Sequence, residues 1–427
     1  MGPGMIIKVK PSKVNGSISA PASKSMTHRA LICAALAKGE SHIQSPLISD
    51  DTDATRRLLE ELGITIEDVS DVYNVTGGTL RAPTGDLYCN ESGTTMRLMT
   101  AICALVDGSC KLTGGEGLSK RPIGQLLDGL KHLGVECSSE DGYPPVTVTG
   151  NGRLNGSTIE IPGDVSSQYI SALLLIAPYA EEQVDIMLTT SLESKPYVSM
   201  TMDVQRAFGV DVKSSISMKH FTITPQKYTS KHYSVEGDWS SASYMLAAGA
   251  LTGEVSLINL NQASSQADAV IYNILQDMGA GIWQTANNVT VSENNLHAVD
   301  IDLSDSPDLF PMIAALCSKA QGVSTLRGLR RLKYKESNRV EAMAEGLKSM
   351  GVKITKNEDT MMITGGKTTG STINPYNDHR IAMAFAVLAL TSEGETTILD
   401  AECTSKSYPD FWDDIRRLGA EIEVKEK

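Results

Sequence analysis

RRLLEELGITIE, residues 56–67, reads as an amphipathic helix that stops at Gly63 and runs into a β-rich tail. Leu58, Leu59 and Leu62 recur at helical spacing, Gly63 suits the left-handed position that ends a helix, and Ile64 and Ile66 alternate as in a half-buried strand. One such stretch means little. The pattern returns in LLDGLKHLGVECS (126–138), MDVQRAFGVDVKS (202–214), IYNILQDMGAGIW (271–283), AEGLKSMGVKIT (344–355) and DDIRRLGAEIEV (413–424). The glycines are Gly63, Gly134, Gly209, Gly279, Gly351 and Gly419, at spacings of 71, 75, 70, 72 and 68 residues. A recurrence near 70 residues organises the whole chain.

Upstream of these helices lies a second kind, apolar and Ala-rich, ending in a turn and another strand. HRALICAALAKGESHIQ (28–44), TTMRLMTAICALVDGSCKL (94–112), SSASYMLAAGALTGEVSLI (240–258) and HRIAMAFAVLALTSEGETTIL (379–399) are examples. Helices apolar all round belong at a centre, and the amphipathic ones cover them. Each unit is therefore expected to run helix, strand, loop, helix, strand, in an α/β protein. Six units exceed what one core holds, so two similar domains of three units each are expected. The boundaries fall at 19–237 for the first domain and at 1–18 plus 238–427 for a discontinuous second one. The leading strand IIKVKPSKVNGSIS needs a sheet to join, and the C-terminal unit can supply it.

The 427 residues carry 38 Lys+Arg against 51 Asp+Glu, a net charge of −13, which argues against a dedicated nucleic-acid binder or a polybasic membrane anchor. Seven cysteines without a C-x-x-C pair read as reduced thiols, mostly buried. The longest apolar run, Tyr169 to Ala180, is shorter than the ~20 residues a membrane-spanning helix needs, and no signal-peptide core stands near Met5. A cytoplasmic monomer without a membrane partner is expected.

PASKSMTHRA (21–30) opens an apolar helix with Ser23 or Ser25 as its cap, yet Lys24 and Arg29 flank the first turn. Helix starts prefer acids, by ~0.3–1 kcal/mol. The oddity repeats: Arg97 in the first turn of SGTTMRLM, Lys120 and Arg121 before Pro122 as first helical residue, Lys195 before Pro196, Lys335 and Arg339 around ESN, Arg380 in DHRIAM, and Lys406 before YPDFWDD. A single cation is explained by a carboxylate nearby. For the whole set the local acids look too few, and helix starts with Ser/Thr hydroxyls and Lys/Arg make up a site for phosphates or carboxylates.

Other chemistries lack their signatures. There is no G-x-x-x-x-G-K-[ST], no strand-linked G-x-G-x-x-G, no H-E-x-x-H or Cys/His cluster at metal spacing, and no G-x-S-x-G. Among the cations stand three acids: Asp308 in SDSPDLFP, Glu336 beside Lys335, and Asp378 beside His379. A carboxylate held among positive charges stays ionised, which suits a general base or a structural ion pair.

At these residues the sequence resembles the 5-enolpyruvylshikimate-3-phosphate synthase family of enolpyruvyl transferases. The matching segments, in the family's order, are PASKSMTHRA, ESGTTMRL, KRPIGQLL, GDVSSQYISALL, SKPY, EGDWSSASY, PDLFP, KYKESNR, NDHRIAM and CTSKSYPDF. The resemblance implies two domains of three repeated units, each an inside-out α/β barrel-like body, with the active site in an interdomain cleft that closes on substrate. It implies the substrates shikimate-3-phosphate and phosphoenolpyruvate, no metal and no organic cofactor. The 5-hydroxyl would attack C2 of phosphoenolpyruvate, and the tetrahedral intermediate would lose phosphate, on the route to chorismate and the aromatic amino acids.

Carried over by motif, Lys24, Ser25, Arg29, Ser166, Ser167, Gln168, Ser194, Asp308 and Lys335 are implied on the shikimate-3-phosphate side, with Tyr197 a neighbour. Lys24, Gly93, Arg121, Gln168, Arg339, Arg380 and Lys406 are implied on the phosphoenolpyruvate side. Asp308 is similar to the family's proton acceptor and Glu336 to the proton carrier at the methylene, with Lys24 a third catalytic group. Two positions depart. Glu91 stands where many members have Asn; it would repel a phosphate and is expected to point away, and Asn90 receives no role. Arg331 stands four before Lys335, where many members have an Asn at shikimate-3-phosphate, which leaves its contact open.

A UDP-N-acetylglucosamine enolpyruvyl transferase would show a Cys in GGEGLSKRP and an Asn after Lys24, and this chain has neither. A non-catalytic phospho-ligand-binding repeat protein would keep the cations without needing Asp308 or Glu336. An RNA-3′-phosphate cyclase fits poorly with the acidic charge and the missing nucleotide signals.

Overall fold

The computed structural model describes residues 4–261, 263–286 and 288–426. Two compact units divide the chain: Ala22–Val235, and the residues up to Pro21 together with those from Glu236 on.

Within Ala22–Val235, the three repeats place α1 (Lys24–Leu36) with α2 (Asp50–Glu61), α3 (Gly93–Cys103) with the short α4 (Glu116–Ser119) and α5 (Gly124–His132), and α6 (Ser167–Ile176) with α7 (Lys195–Ala207). In the other unit, α8 (Trp239–Thr252) goes with α9 (Ile271–Asp277), α10 (Phe310–Cys317) with α11 (Arg339–Ser349), and α12 (His379–Ala389) with α13 (Phe411–Arg417). α1, α3, α6, α8, α10 and α12 are buried over nearly their whole length. Each supplies apolar surface on all sides, so each sits inside. The glycines ending the amphipathic helices all have positive φ, from +81° at Gly134 to +119° at Gly419, a region open to glycine at little cost.

Among the described residues the strands form six four-stranded sheets and no closed barrel. The expected two strands per unit are too few. Each of the first five amphipathic helices leads into a hairpin rather than a lone strand, as in Thr65–Asp68 with Val72–Gly77, while α13 leads into Ile422–Glu426 alone, and a short strand ahead of each inner helix adds a parallel edge, as in Leu87–Tyr88 beside Asp107–Thr113. Strand residues alternate between buried and exposed, so each sheet covers the helices with one face and meets solvent with the other.

The N-terminal strands make the second unit discontinuous. Met5–Val9 runs antiparallel between Thr396–Ile398 and Ile422–Glu426, and Asn15–Ser19 runs parallel beside Glu254–Ile258. The equivalent edge of the first sheet comes from the far end of its own unit, His232–Ser234 beside Gly39–Gln44. No helix is long and apolar enough to cross a membrane among the described residues.

Ile7 is fully buried in the middle of its sheet, opposite Ile398 and Val424. Ile7→Ala should cost about 2–5 kcal/mol. Chemical denaturation should show a lower midpoint for the residues from Glu236 on; an unchanged midpoint would mean that the N-terminal strand is dispensable to that unit.

Candidate active site

Within Ala22–Val235 the inner helices begin with serine caps. Ser23 Oγ accepts from Met26 N (3.3 Å), Ser92 Oγ from Thr95 N (3.1 Å) and Ser166 Oγ from Gln168 N (3.3 Å). Side chains cross-link these starts. Thr95 Oγ1 donates to the Asp51 carbonyl (3.1 Å), so it accepts from the Thr55 hydroxyl at 2.8 Å, and Thr55 in turn accepts from His28 Nδ1 at 2.8 Å. That order puts the His28 proton on Nδ1. Burial first, then Lys24 and Arg29, hold the His28 pKa well below the usual imidazole range, so the ring is neutral and adds no charge between two cations.

The cations stand at these starts. Lys24 Nζ lies 2.9 Å from Asp51 Oδ2, and both side chains are buried. Arg29 donates to Thr201 Oγ1 (2.7 Å) and to the carbonyls of Ser25 (2.9 Å) and Tyr197 (3.4 Å). Burial pulls its pKa down to about 10, which leaves it charged at neutral pH. Arg97 donates to Gln168 Oε1 (2.5 Å), and Gln168 Nε2 to Thr94 Oγ1 (2.9 Å). The Arg121 guanidinium lies against Gly93 so closely that a Cβ there would be 2.6 Å from Cζ, Nη1 and Nη2. Ser25 is the one residue of α1 that is not buried, Ser167 opens α6, and Ser194, at φ +55°, caps α7 ahead of Lys195.

Three placements differ from the sequence reading. Arg97 stands one turn inside α3 rather than in its first turn. Pro122 precedes the Ile123 cap and is not the first residue of α5, because the turn that bonds Arg121 N to Leu118 O delays the helix. The local acids are not too few for Lys24 or Lys120, which meets Glu116 at 2.7 Å. Asp51 looks in sequence like an ordinary acid at the start of α2, and only the tertiary fold brings it to Lys24.

In the other unit the charges are organised around Arg339, whose side chain is 1% exposed. Nη1 donates to Asp308 Oδ1 (2.7 Å), Nη2 to Glu336 Oε2 (2.6 Å) and Nε to Asp378 Oδ2 (2.8 Å). Arg380 Nη2 lies 3.3 Å from Asp308 Oδ2, and Lys335 Nζ lies 3.4 Å from Asp308 Oδ1. Here too the acids suffice. Lys406 donates to the Asn377 carbonyl (2.5 Å), and Arg331 to that of Ser304 (2.9 Å). Burial by itself would raise the Asp308 pKa, but Arg380, Lys335 and Arg339 outweigh it and hold the carboxyl well below its usual range. Burial, only partly offset by Asp308, brings the Lys335 ammonium down to about 8. A carboxylate held ionised by its neighbours thus shares Arg339 with a second carboxyl group, Glu336, an arrangement suited to moving two protons at two atoms.

Residues 8–415 match the family described as EPSP synthase (3-phosphoshikimate 1-carboxyvinyltransferase). The chain belongs to the EPSP synthase family. A protein of Dehalococcoides mccartyi named 3-phosphoshikimate 1-carboxyvinyltransferase is 43% identical over 98% of this chain and 99% of its own length. One of that name from Methanocorpusculum labreanum is 42% identical with the same coverage. The EPSP synthase of Acinetobacter baumannii superposes with a TM-score of 0.84 at 29% identity, covering 99% of this chain and all of the other. The enolpyruvyl transferase NikO of Streptomyces tendae, at 18% identity and a TM-score of 0.78, shares the fold.

Asp238 and Asp268 were not singled out in the sequence, although a signal exists for the first. Asp238, Asp308 and Asp378 are spaced 70 and 70 residues apart, each at the start of an inner helix. Asp268 has no such marker. Its Oδ2 accepts from Ser240 Oγ, and among the described residues its buried Oδ1 has no hydrogen-bond partner. Burial first, then the charge of Asp308, push its pKa up to about 7 against the pull of Arg380. A carboxyl whose folded pKa lies above its unfolded value binds its proton more tightly when folded, so this stability is complete at low pH and is lost as pH rises toward 7. Asp268→Asn cannot ionise. Its melting temperature relative to the parent should therefore climb between pH 5 and 8, by an amount equivalent to about 1–4 kcal/mol; a pH-independent difference would show that Asp268 is ionised throughout.

Proposed function

We propose that this protein is a 3-phosphoshikimate 1-carboxyvinyltransferase: it transfers the enolpyruvyl group of phosphoenolpyruvate to the 5-hydroxyl of shikimate-3-phosphate and releases phosphate, a step toward chorismate. Membership of the family over nearly the full chain supports the reaction. The observation that carries the chemistry is the pair of carboxylates on Arg339, with Asp308 held ionised by three cations.

In this reading Asp308 takes the proton of the 5-hydroxyl as that oxygen bonds to C2 of phosphoenolpyruvate. Glu336, protonated when the substrates bind, gives that proton to the methylene carbon, which closes the tetrahedral intermediate. Glu336 then takes a proton back from the new methyl group, the C2–O bond to phosphorus breaks, and the proton held by Asp308 leaves with the phosphate. Lys24, Ser25, Arg29, Ser166, Ser167, Gln168, Ser194 and Lys335 would hold shikimate-3-phosphate. Lys24, Gly93, Arg121, Gln168, Arg339, Arg380 and Lys406 would hold phosphoenolpyruvate. Each substrate carries a phosphate and a carboxylate, a demand that helix starts and guanidinium groups meet in kind. The missing Cβ at Gly93 supports close approach of a ligand to the backbone beside Arg121.

Mixing the protein with both substrates and following ³¹P and ¹H NMR should show phosphate release together with a new vinyl ether. No turnover, or turnover only with a UDP-sugar acceptor, would refute the assignment. Asp308→Asn keeps the shape of the side chain and removes its charge. It should bind shikimate-3-phosphate in calorimetry while kcat falls by about 10²–10⁴-fold; an unchanged kcat would remove Asp308 from the proton path.

A further inference from the structure

Glu91, one of the two residues at which this chain departs from the family pattern, turns its carboxylate toward the start of α4. Its carboxylate accepts from Leu118 N at 2.8 Å and from Gly117 N at 3.3 Å, two of the backbone donors that α4 leaves open at its first turn. Asn90, at φ +52°, holds the same turn from its other side, with its carbonyl accepting from Gly115 N at 2.8 Å. A Cβ at Gly115 would fall 2.0 Å from Glu91 Oε1, and one at Gly117 would fall 2.8 Å from Oε2, so the seat of the carboxylate exists only because both residues are glycine. Among the described residues Glu91 makes no ion pair; its charge is answered by backbone N–H groups.

What α4 carries is Arg121. Ser119 N bonds back to Gly115 O, and Arg121 N bonds back to Leu118 O, both at 3.0 Å, so the geometry of the turn passes directly to the arginine. The guanidinium then returns to Gly93, two residues after Glu91. Residues 90–93 and 115–121 are thus locked at both ends, by a carboxylate at one and by an arginine on a bare glycine at the other. We propose that Glu91 is a positioning residue for Arg121, whose carboxylate fixes the Gly115–Ser119 turn and thereby sets where the guanidinium meets the carboxylate or phosphate of its substrate. This rests on the reading of Arg121 as a phosphoenolpyruvate group. Leu118, 1% exposed, anchors α4 by its side chain as well, so loss of Glu91 should loosen the turn without unfolding it.

Steady-state kinetics of Glu91→Ala should show the KM for phosphoenolpyruvate raised about 10-fold, with kcat and the KM for shikimate-3-phosphate changed by less than about 3-fold. Glu91→Gln, which keeps one acceptor, should fall between the two. Gly115→Ala, at φ −67°, strains no backbone but takes the seat of the carboxylate, so it should reproduce the Glu91→Ala effect. In the double variant it should add nothing. Trypsin cleavage after Lys120 should be faster in Glu91→Ala than in the parent, a readout that needs no substrate. If the parent enzyme turns over but Glu91→Ala leaves the phosphoenolpyruvate KM unchanged, or if both KM values and kcat fall away together, or if the two substitutions are additive, Glu91 does not position Arg121. If the parent itself does not turn over, the reading of Arg121 fails instead, and the trypsin result alone decides whether Glu91 fixes the turn.

Discussion

A buried guanidinium bonded to three carboxylates sets the terms for the unit that contains it. Arg339 is fully removed from solvent, and Asp308, Glu336 and Asp378 reach it from different places: the turn before α10, the residues just ahead of α11, and the cap of α12. Burying one arginine costs several kcal/mol, and the cost is recovered only while its partners hold their geometry. Asp378 is fixed further by the Ser337 hydroxyl (3.0 Å) and by Arg380 N (3.0 Å). The charged cluster is therefore a joint between helix starts, and its carboxylates are oriented by the same contacts that make the joint.

The two sets of charges differ in balance. In the first, Lys24, Arg29, Arg97 and Arg121 stand with one of the acids described above, Asp51. In the second, Lys335, Arg339, Arg380 and Lys406 stand with three, Asp308, Glu336 and Asp378. The first set is suited to holding anions, whereas the second, with Asp308 held ionised by Arg380, Lys335 and Arg339, suits proton transfer. Neutral His28 fits the first set, since a third positive charge between Lys24 and Arg29 would add repulsion without reaching a ligand.

The architecture was legible in the sequence because helix-ending glycines mark every repeat, and an apolar helix can only be an inner one. Strand number was not. Leu87–Tyr88 and Thr372–Ile373 are two-residue edges whose pairing is decided by neighbours far along the chain. The cations were legible as a group, since they recur near the starts of helices, where acids are the rule. Their partners were not, because Asp51 obeys that rule and meets Lys24 from another element, and because Asp268 matters through burial, which local pattern does not encode. Glu91 was legible as an anomaly. Its answer lay in backbone N–H groups about 26 residues on, which no side-chain pattern could reveal.

The repeat also accounts for how the two units come to differ. Ser23, Ser92 and Ser166 cap inner helices in one, whereas Asp238, Asp308 and Asp378 stand at the corresponding starts in the other. A serine satisfies a backbone N–H without neutralising the positive end of the helix, so the dipole and the nearby cations still favour an incoming anion; an aspartate neutralises that end itself. Asp238 and Asp378 do so, accepting from Ser240 N and Arg380 N at 3.0 Å. The middle copy diverges. Pro307–Leu309 forms a 3-10 turn, α10 is capped at Leu309, and Asp308, one residue earlier, has its oxygens among Lys335, Arg339 and Arg380. A position that serves as a helix cap in its two sister copies is thereby released here to face the cations, and a shift of one residue in where a helix begins is enough to make the change.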